Sequence, residues 1–281
     1  METYLDETLS RLITAFHILH QHGVLDEHGH ISIRNPYNPS TFFTSNVPAI
    51  LVSSKGDLTQ WNVDGSPVAV PYSGCQTVHV VPQTTEHYIH SCIYEYYPGV
   101  QSIVHAHNLN AIVYGLCNSH GSLLQPSYHM AGFVGSQSPI FNPADHYSAL
   151  PPTHPHNFLI NHKHLGDALA RSFTGGDDMD GMASLPGHSV VFQRGNGFVT
   201  WARRLEDAVY RAIHVSRAAV IQSMAMSLRS DTDLEILYLN EKEAKDCDET
   251  INRAFPPIWA AWVAQAERSG HYHNELKARR G

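Results

Sequence analysis

The chain is poor in charged residues, and its basic residues are outnumbered by its acidic ones. Asp, Glu, Lys and Arg make up only 16% of the 281 residues, against roughly 25% in an ordinary globular protein. The 18 Lys and Arg residues stand against 26 Asp and Glu residues, so no cationic surplus is available to neutralise nucleic-acid phosphates. We therefore expect no nucleic-acid partner.

Cysteines are also few, and long apolar runs are missing. The four cysteines, Cys75, Cys92, Cys117 and Cys247, lie far apart and form no CxxC pair. No stretch approaches the ~20 apolar residues of a membrane-spanning helix, and no basic-apolar signal sequence opens the chain. These absences predict a cytoplasmic protein with reduced thiols and no membrane contact. The 42% apolar content excludes a disordered chain.

Histidine is abundant, with 21 residues scattered along the chain. One pair, His105-Ala106-His107, ends a strand predicted over residues 101–107. Side chains two positions apart on a strand share one face, so both imidazoles can contact one metal ion. The alternative is two imidazoles that make only structural hydrogen bonds at a strand end.

The apolar spacing predicts helices interleaved with short strands, without strict βαβ spacing, which indicates a layered α/β domain. Residues 1–230 are predicted to form this domain, and residues 231–281 a helical C-terminal extension. We expect helices over residues 5–19, 85–97, 109–117, 165–173 and 205–228, strands over 31–33, 49–53, 68–70, 101–107 and 189–192, and extended segments over 128–134 and 158–160.

Two further segments carry groups suited to binding and proton transfer. Thr84 and Thr85 precede a predicted helix, where free backbone N–H groups and hydroxyls can bind an anion. Glu86 follows them as a proton-transfer group, or as an acid that only complements the helix dipole. Lys55-Gly56 stands in a turn that offers backbone N–H groups and a cation, or is a plain surface turn.

The order of these motifs resembles the class II aldolase/adducin family over roughly residues 5–230. Within that family the chain is most similar to the fungal adducin-like members, which suggests fungal secondary metabolism. The motifs that carry the resemblance are Gly29-His30-Ile31-Ser32-Ile33-Arg34, Ser53-Ser54-Lys55-Gly56, Thr84-Thr85-Glu86 with His90, Val104-His105-Ala106-His107, Ser189-Val190-Val191-Phe192 and Leu205-Glu206-Asp207-Ala208.

The resemblance implies an α/β/α sandwich around a mainly antiparallel sheet, in a homotetramer with active sites between subunits. It implies a divalent metal, usually zinc, bound by His105, His107 and a third histidine. Glu86 then corresponds to the catalytic acid/base, and Tyr128 to a tyrosine that acts from an adjacent subunit. Lys55, Gly56, Thr84 and Thr85 correspond to the phosphate or carboxylate contacts of the substrate.

The sequence departs from the family pattern at two positions. Asn196 replaces the third histidine, so its amide oxygen is a candidate ligand, with Mg²⁺, Mn²⁺ or Fe as alternatives to zinc. Alternatively, Glu86 or His188 completes the metal site, or the metal is lost. His30 stands where sugar-phosphate aldolases have Asn, and as a poorer phosphate donor it predicts a carboxylate-bearing substrate.

These residues predict a metal-dependent lyase, for aldol-type cleavage or decarboxylation of a small oxo- or hydroxy-acid through a metal-stabilised enolate. Burial is expected to raise the pKa of Glu86. Two alternatives remain open. The first is an enzyme of the same fold with altered or no metal, such as a dehydratase, epimerase, cyclase or iron-dependent oxygenase. The second is a non-catalytic adducin-like assembly module.

Overall fold

A computed structural model describes residues 2–68, 86–117, 124–136, 138–174, 183–229 and 234–277. Within these ranges a seven-stranded sheet is covered by helices on both faces. The strands are β1 His30–Arg34, β2 Thr41–Ser45, β3 Leu58–Asn62, β4 Ser102–Ala106, β5 Ile140–Phe141, β6 Val190–Gln193 and β7 Gly197–Ala202. The α-helices are α1 Glu2–Gln21, α2 His87–Tyr96, α3 Leu109–Leu116, α4 Lys163–Arg171, α5 Leu205–Arg229 and α6 Glu241–Arg268.

The sheet has the strand order β3-β2-β1-β4-β7-β6-β5. All neighbours run antiparallel except β5 and β6, which are parallel. In this register His30 of β1 lies opposite His105 of β4, and Ala106 lies opposite Phe198 of β7. The predicted α/β sandwich around a mainly antiparallel sheet is therefore confirmed.

Each face of the sheet has its own apolar core, because side chains alternate along the strands. Val104 and Phe198 pack with α1, α3 and α5 on one face. Ile103 and Val199 pack with α2 and α4 on the other. The central strands β4 and β7 are buried on both faces, and the histidine motif at the end of β4 is thereby set on a rigid element.

The predictions for residues 49–53 and 128–134 are wrong, because both segments form 3₁₀ helices. Ala49–Leu51 follows Pro48, whose ring prevents it from donating to a strand ladder. His129–Val134 turns tightly beneath α6, where a Cβ on Gly132 would stand 2.2 Å from the carbonyl oxygen of Ala244. Residues 158–160 belong to no strand, and Phe158 has a positive φ of 65°. Residues 69 and 70 of the predicted strand 68–70 lie outside the described residues.

Helix α6 begins at a capping box formed by Asn240 and Glu243, which share two backbone–side-chain hydrogen bonds. It packs against α1 and the 3₁₀ helix His129–Val134. Trp262 and Ala266 are buried in the same core as α1 and α5, so α6 shares the core of the domain. None of the helices in the described ranges is long and apolar enough to cross a membrane.

Candidate active site

The two imidazoles of the His105-Ala106-His107 motif meet at the end of β4. Their Nε2 atoms lie 2.9 Å apart, and the ring of His105 is fully buried. His107 follows directly after the last residue of the strand. The period-2 spacing thus brings two ring nitrogens to one point.

The hydrogen bonds of the two rings leave both Nε2 atoms as acceptors. Nδ1 of His107 lies 3.2 Å from each carboxylate oxygen of Asp26. Nδ1 of His105 lies 3.2 Å from the carbonyl oxygen of Phe198. The amide nitrogen of Gln193, 3.4 Å away, is a further neighbour of Nδ1 of His105. The carboxylate and the carbonyl can only accept, so when both rings are neutral with the hydrogen on Nδ1, each Nε2 presents a lone pair. Two lone pairs at this distance repel each other unless a proton or a metal ion is shared between them.

This arrangement fits a divalent metal. Tetrahedral zinc with nitrogen ligands at ~2.0–2.1 Å places those nitrogens about 3.3 Å apart, close to the separation of the two Nε2 atoms. An imidazole whose other nitrogen is held by a carboxylate or a backbone carbonyl is the usual partner arrangement of a metal-binding histidine. His105 and His107 each have such a partner.

Asp26 was not identified from the sequence. It precedes β1, where its Oδ1 accepts the backbone N–H groups of His28 at 3.0 Å and Gly29 at 2.7 Å. Burial favours a higher pKa for Asp26, but hydrogen bonds from His107 and these N–H groups hold the pKa well below its ordinary range. Conversely, burial disfavours charge on His107, yet Asp26 raises the pKa of that imidazole. The Asp-x-x-Gly turn directly before the Gly29-His30 motif was the available signal.

Glu86 lies just before α2, is almost fully buried and lines the cavity. Its Oε1 accepts the backbone N–H of Ile160 at 2.8 Å and Nδ2 of Asn196 at 2.9 Å. Its Oε2 lies 3.7 Å from Nε2 of His105. One carboxylate oxygen is thus held by two donors, while the other faces the histidine pair.

The expected raised pKa of Glu86 is wrong. Burial does favour a higher pKa, but the imidazole of His105 and the N–H of Ile160 outweigh it, and the pKa lies below its usual value. Burial lowers the pKa of His105 as well. A carboxylate beside a neutral imidazole is the protonation state that metal binding requires.

Asn196 contacts Glu86 through the nitrogen of its amide. It stands in a tight turn between β6 and β7, where Gly195 and Gly197 have φ values of 68° and 82°. A Cβ on Gly197 would lie 1.9 Å from the carbonyl oxygen of Ala106, so the turn fits closely against the end of β4. The amide Nδ2 also lies 3.4 Å from Oε1 of Gln193. In this orientation Asn196 acts as a donor to the carboxylate of Glu86.

His30 belongs to the same cluster, because β1 and β4 are paired. Its ring centroid lies 5.1 Å from that of His105. His30, Glu86 and His105 each offer one ligand atom, and these atoms lie within 4.8 Å of one another. The sequence assigned His30 to the substrate, but in the described residues it lies among the groups that could hold a metal.

A cavity of about 660 Å³ opens onto these groups. The described lining residues carry carboxylates, imidazoles, amides and apolar side chains, with no Lys or Arg among them. They are Glu27, His28, Gly29, His30, Ser45, Asn46, Val47, Pro48, Glu86, His107, Ile112, Leu159, Gly195 and Asn196.

Several residues assigned to the site by sequence lie elsewhere within this chain. Lys55 forms an ion pair with Asp6 of α1, and neither it nor Gly56 lines the cavity. Tyr128 does not line it either, and its hydroxyl lies 2.7 Å from Nδ1 of His214.

The remaining site residues assigned from the sequence are His188, Thr84 and Thr85. His188 lies away from the cavity lining, and its carbonyl oxygen accepts the indole N–H of Trp201 at 2.8 Å. Thr84 and Thr85 lie outside the described residues.

Comparison with known proteins identifies the family. The model of the class II aldolase and adducin N-terminal domain matches residues 10–223. The chain belongs to this family. The decarboxylase tropJ of Talaromyces stipitatus is 36% identical over 270 residues, which cover 93% of this chain and 95% of that protein. Membership of the family, with a decarboxylase related over nearly the whole chain, makes the protein an enzyme.

Solved structures share the fold at low sequence identity. An L-fuculose 1-phosphate aldolase from Glaciozyma antarctica superimposes with a TM-score of 0.62 at 15% identity, covering 96% of this chain and 92% of that one. An aldolase II superfamily protein from Pseudomonas syringae gives a TM-score of 0.64 at 18% identity, covering 96% and 95%. These structures establish the class II aldolase fold.

Proposed function

We propose that the protein is a metal-dependent decarboxylase that acts on a small oxo- or hydroxy-carboxylic acid. The observation that carries the proposal is the convergence of two Nε2 lone pairs, 2.9 Å apart, beside the free oxygen of Glu86 at the wall of the cavity. The 36% identical decarboxylase relative supports the choice of decarboxylation over aldol cleavage.

His105 and His107 are the residues that would hold the metal, and Asn196 was the third ligand expected from the sequence. Neutral imidazole nitrogens favour zinc, with Fe, Mn²⁺ and Mg²⁺ as alternatives of decreasing fit to nitrogen ligands. When bound, a divalent metal supplies Lewis-acid polarisation of a carbonyl or hydroxyl oxygen of the substrate.

Glu86 is the group that moves the proton. Loss of CO₂ breaks a carbon–carbon bond and leaves its electron pair on the substrate carbon, which must then take one proton. Because Glu86 is ionised, its Oε2 can accept a proton from the substrate hydroxyl or from water and return it to that carbon. Ile160 and Asn196 hold Oε1 during both transfers, so the carboxylate keeps its orientation.

The cavity lining supports a substrate without phosphate. A phosphate dianion would find no Lys or Arg among the described lining residues, although charged partners are what such a group needs when it leaves water. Val47, Pro48, Ile112 and Leu159 give the cavity an apolar wall. An apolar wall favours neutral CO₂ over the carboxylate from which it forms, so it assists decarboxylation.

We also propose that the enzyme is a cytoplasmic homotetramer, as the family resemblance implies, with each site completed by a neighbouring subunit. Tyr128 remains a candidate proton donor to such a neighbouring site. Light scattering on the purified protein tests the tetramer, and turnover by Tyr128→Phe tests the residue.

The reaction is tested by measuring CO₂ release from a panel of oxo- and hydroxy-acids with wild type, Glu86→Gln and His105→Ala. The amide oxygen of Gln can still accept both hydrogen bonds made to Oε1, so Glu86→Gln should fold normally. We expect it to lower kcat by about 10²–10⁴-fold, the usual contribution of a proton-transfer group. Glu27→Gln, which changes an exposed acid of the same cavity, serves as the control.

Unchanged CO₂ release in both site variants would refute the proposal. Formation of two carbonyl-containing fragments without CO₂ would instead indicate aldol cleavage. Elemental analysis of the purified protein separates a zinc lyase from an iron enzyme or a metal-free one.

A further inference from the structure

A series of buried polar side chains leads from the cavity into the core at His30. Nδ1 of His30 lies 2.6 Å from Nε2 of His90, and Nδ1 of His90 lies 2.7 Å from Oγ of Ser32. That hydroxyl lies 2.8 Å from Oη of Tyr94, which lies 3.3 Å from the carbonyl oxygen of Gln101. His30 thus has one ring nitrogen held in the core, while its other nitrogen, Nε2, remains for the cavity that it lines.

The hydrogens of this series can all point inward. Tyr94 then donates to Gln101, Ser32 to Tyr94, His90 to Ser32 and Nδ1 of His30 to His90. Every group has a partner, and Nε2 of His30 presents a lone pair to the cavity. With all hydrogens reversed, Tyr94 donates to Ser32, the carbonyl oxygen of Gln101 loses this donor, and Nε2 of His30 carries a hydrogen. A metal ion beside Nε2 selects the inward arrangement.

The backbone places His30 and His105 together. The two residues are directly opposite in the paired strands β1 and β4, and residues opposite in antiparallel strands have Cβ atoms about 4.5–5.5 Å apart on one face. Asn196 instead stands in a turn and directs its N–H at Glu86. Its amide oxygen faces the imidazole of His107, but an amide oxygen is a weaker zinc ligand than an imidazole nitrogen.

We propose that His30 supplies the third imidazole of the metal centre in place of Asn196, and that His90 is its positioning residue. The inference rests on the proposed function in assuming a metal at His105 and His107. Each of the three imidazoles has its Nδ1 held by a partner. The ligand atoms of His30 and His105 lie within 4.8 Å of each other, and Nε2 of His107 lies 2.9 Å from Nε2 of His105. Asn196 holds Glu86, which remains free to move a proton.

The test is zinc affinity, measured by competition with a chromophoric chelator after the metal has been removed from the full-length protein. We expect His30→Ala to weaken zinc binding by more than about 100-fold, beyond the 10–100-fold loss typical of an outer partner. Asn196→Ala should bind zinc nearly as wild type does. His17→Ala is the matched control, because His17 is a buried imidazole bonded to the carbonyl of Val52 at 2.6 Å, away from the cavity.

Visible absorption of the Co²⁺-loaded protein gives a second measurement that does not depend on turnover. Loss of one nitrogen ligand should change the d–d bands of His30→Ala and leave those of Asn196→Ala as in wild type. If His30→Ala does not fold, His30→Asn keeps a polar partner for His90 while removing the distal ring nitrogen.

The outcomes separate this inference from the proposed function. Zinc binding that depends on His105 but survives in both His30 variants overturns the inference alone. Loss of zinc in Asn196→Ala, with retention in His30→Ala, also overturns it. If His105→Ala binds zinc as wild type does, the proposed function fails as well.

The role of His90 is tested by a pair of substitutions. The amide oxygen of His90→Gln can accept from Nδ1 of His30, whereas His90→Leu cannot. We expect His90→Leu to weaken zinc binding by about 10–100-fold, and His90→Gln to recover part of that loss. Equal affinities in two equally stable variants would show that His90 only fills space.

Discussion

The substitution Asp26→Asn isolates the effect of one outer partner on the histidine pair. The carbonyl oxygen of Asn can still accept the N–H groups of His28 and Gly29 that Oδ1 accepts now. The turn before β1 should therefore persist. The second oxygen becomes an NH₂ group, however, and it faces Nδ1 of His107.

An NH₂ group donates, so Nδ1 of His107 would have to accept. The ring hydrogen then moves to Nε2, the atom that faces Nε2 of His105 at 2.9 Å. That hydrogen must be displaced before Nε2 can bind a metal. The variant also loses the negative charge that raises the pKa of His107, and with it the electron density that strengthens the imidazole as a ligand.

We expect Asp26→Asn to weaken zinc binding by about 10–100-fold, which is the usual cost of losing a partner of a metal-binding histidine. That range corresponds to about 1.4–2.7 kcal/mol of binding free energy. The measurement is a chelator competition at pH 7.5, with circular dichroism to check the fold. Glu27→Gln removes a neighbouring negative charge without touching the ring and is the control.

Equal zinc affinity in wild type and Asp26→Asn would refute the reasoning, since zinc binding by His107 would then not depend on the residue that contacts its Nδ1. An equal loss in Glu27→Gln would show that the effect is one of net charge near the cavity. Only a loss specific to Asp26→Asn supports control of the His107 tautomer.

Two further predictions concern stability. Burial lowers the pKa of His214 to about 3. Between pH 7.5 and 5 this histidine therefore becomes protonated in the unfolded chain but stays neutral in the folded protein. As the pH falls over this range, the free energy of unfolding of wild type should decrease by about 2 kcal/mol more than that of His214→Gln. Urea unfolding at the two pH values measures this difference, and equal decreases in the two proteins would contradict the prediction. Gly197→Ala should cost about 2–4 kcal/mol, because its Cβ would meet the carbonyl of Ala106 at a positive φ. Gly195→Ala, with open space around the Cβ, should cost only about 1–2 kcal/mol; equal costs would contradict the steric reasoning.

Strands β1, β4 and β6 were predicted from their apolar residues, whereas β7 was missed although Phe198, Val199 and Trp201 are apolar. Strand β2 was missed because Thr41, Thr44 and Ser45 look polar, yet all are buried. Their hydroxyls are satisfied locally, as when Thr44 donates to the carbonyl oxygen of Ile31 at 2.9 Å. A prediction from the spacing of apolar residues treats Thr and Ser as exposed to solvent, and therefore it misses this strand.

The residues of the candidate site that could be predicted are those related by a short spacing in the sequence, and those that were missed are related by contacts between distant parts of the chain. His105 and His107 could be paired from the sequence because a spacing of two is a local property of a strand. The contact of Asp26 with His107 spans 81 residues, and that of Asn196 with Glu86 spans 110. No local pattern encodes such contacts, because they arise only when the sheet brings separate turns to one edge.

An asparagine at position 196, where the family resemblance implies a histidine, affects more than the number of imidazoles at the site. A histidine there that bound a metal through one ring nitrogen would turn that nitrogen away from Glu86, whereas the amide of Asn196 donates to Oε1. That donor, together with the N–H of Ile160, keeps one oxygen occupied and the carboxylate ionised. The same site carries an imidazole at His30, on the strand directly beside His105. If His30 binds the metal as proposed, the residues at positions 30 and 196 are complementary, since one provides a nitrogen and the other holds the proton-transfer group in place.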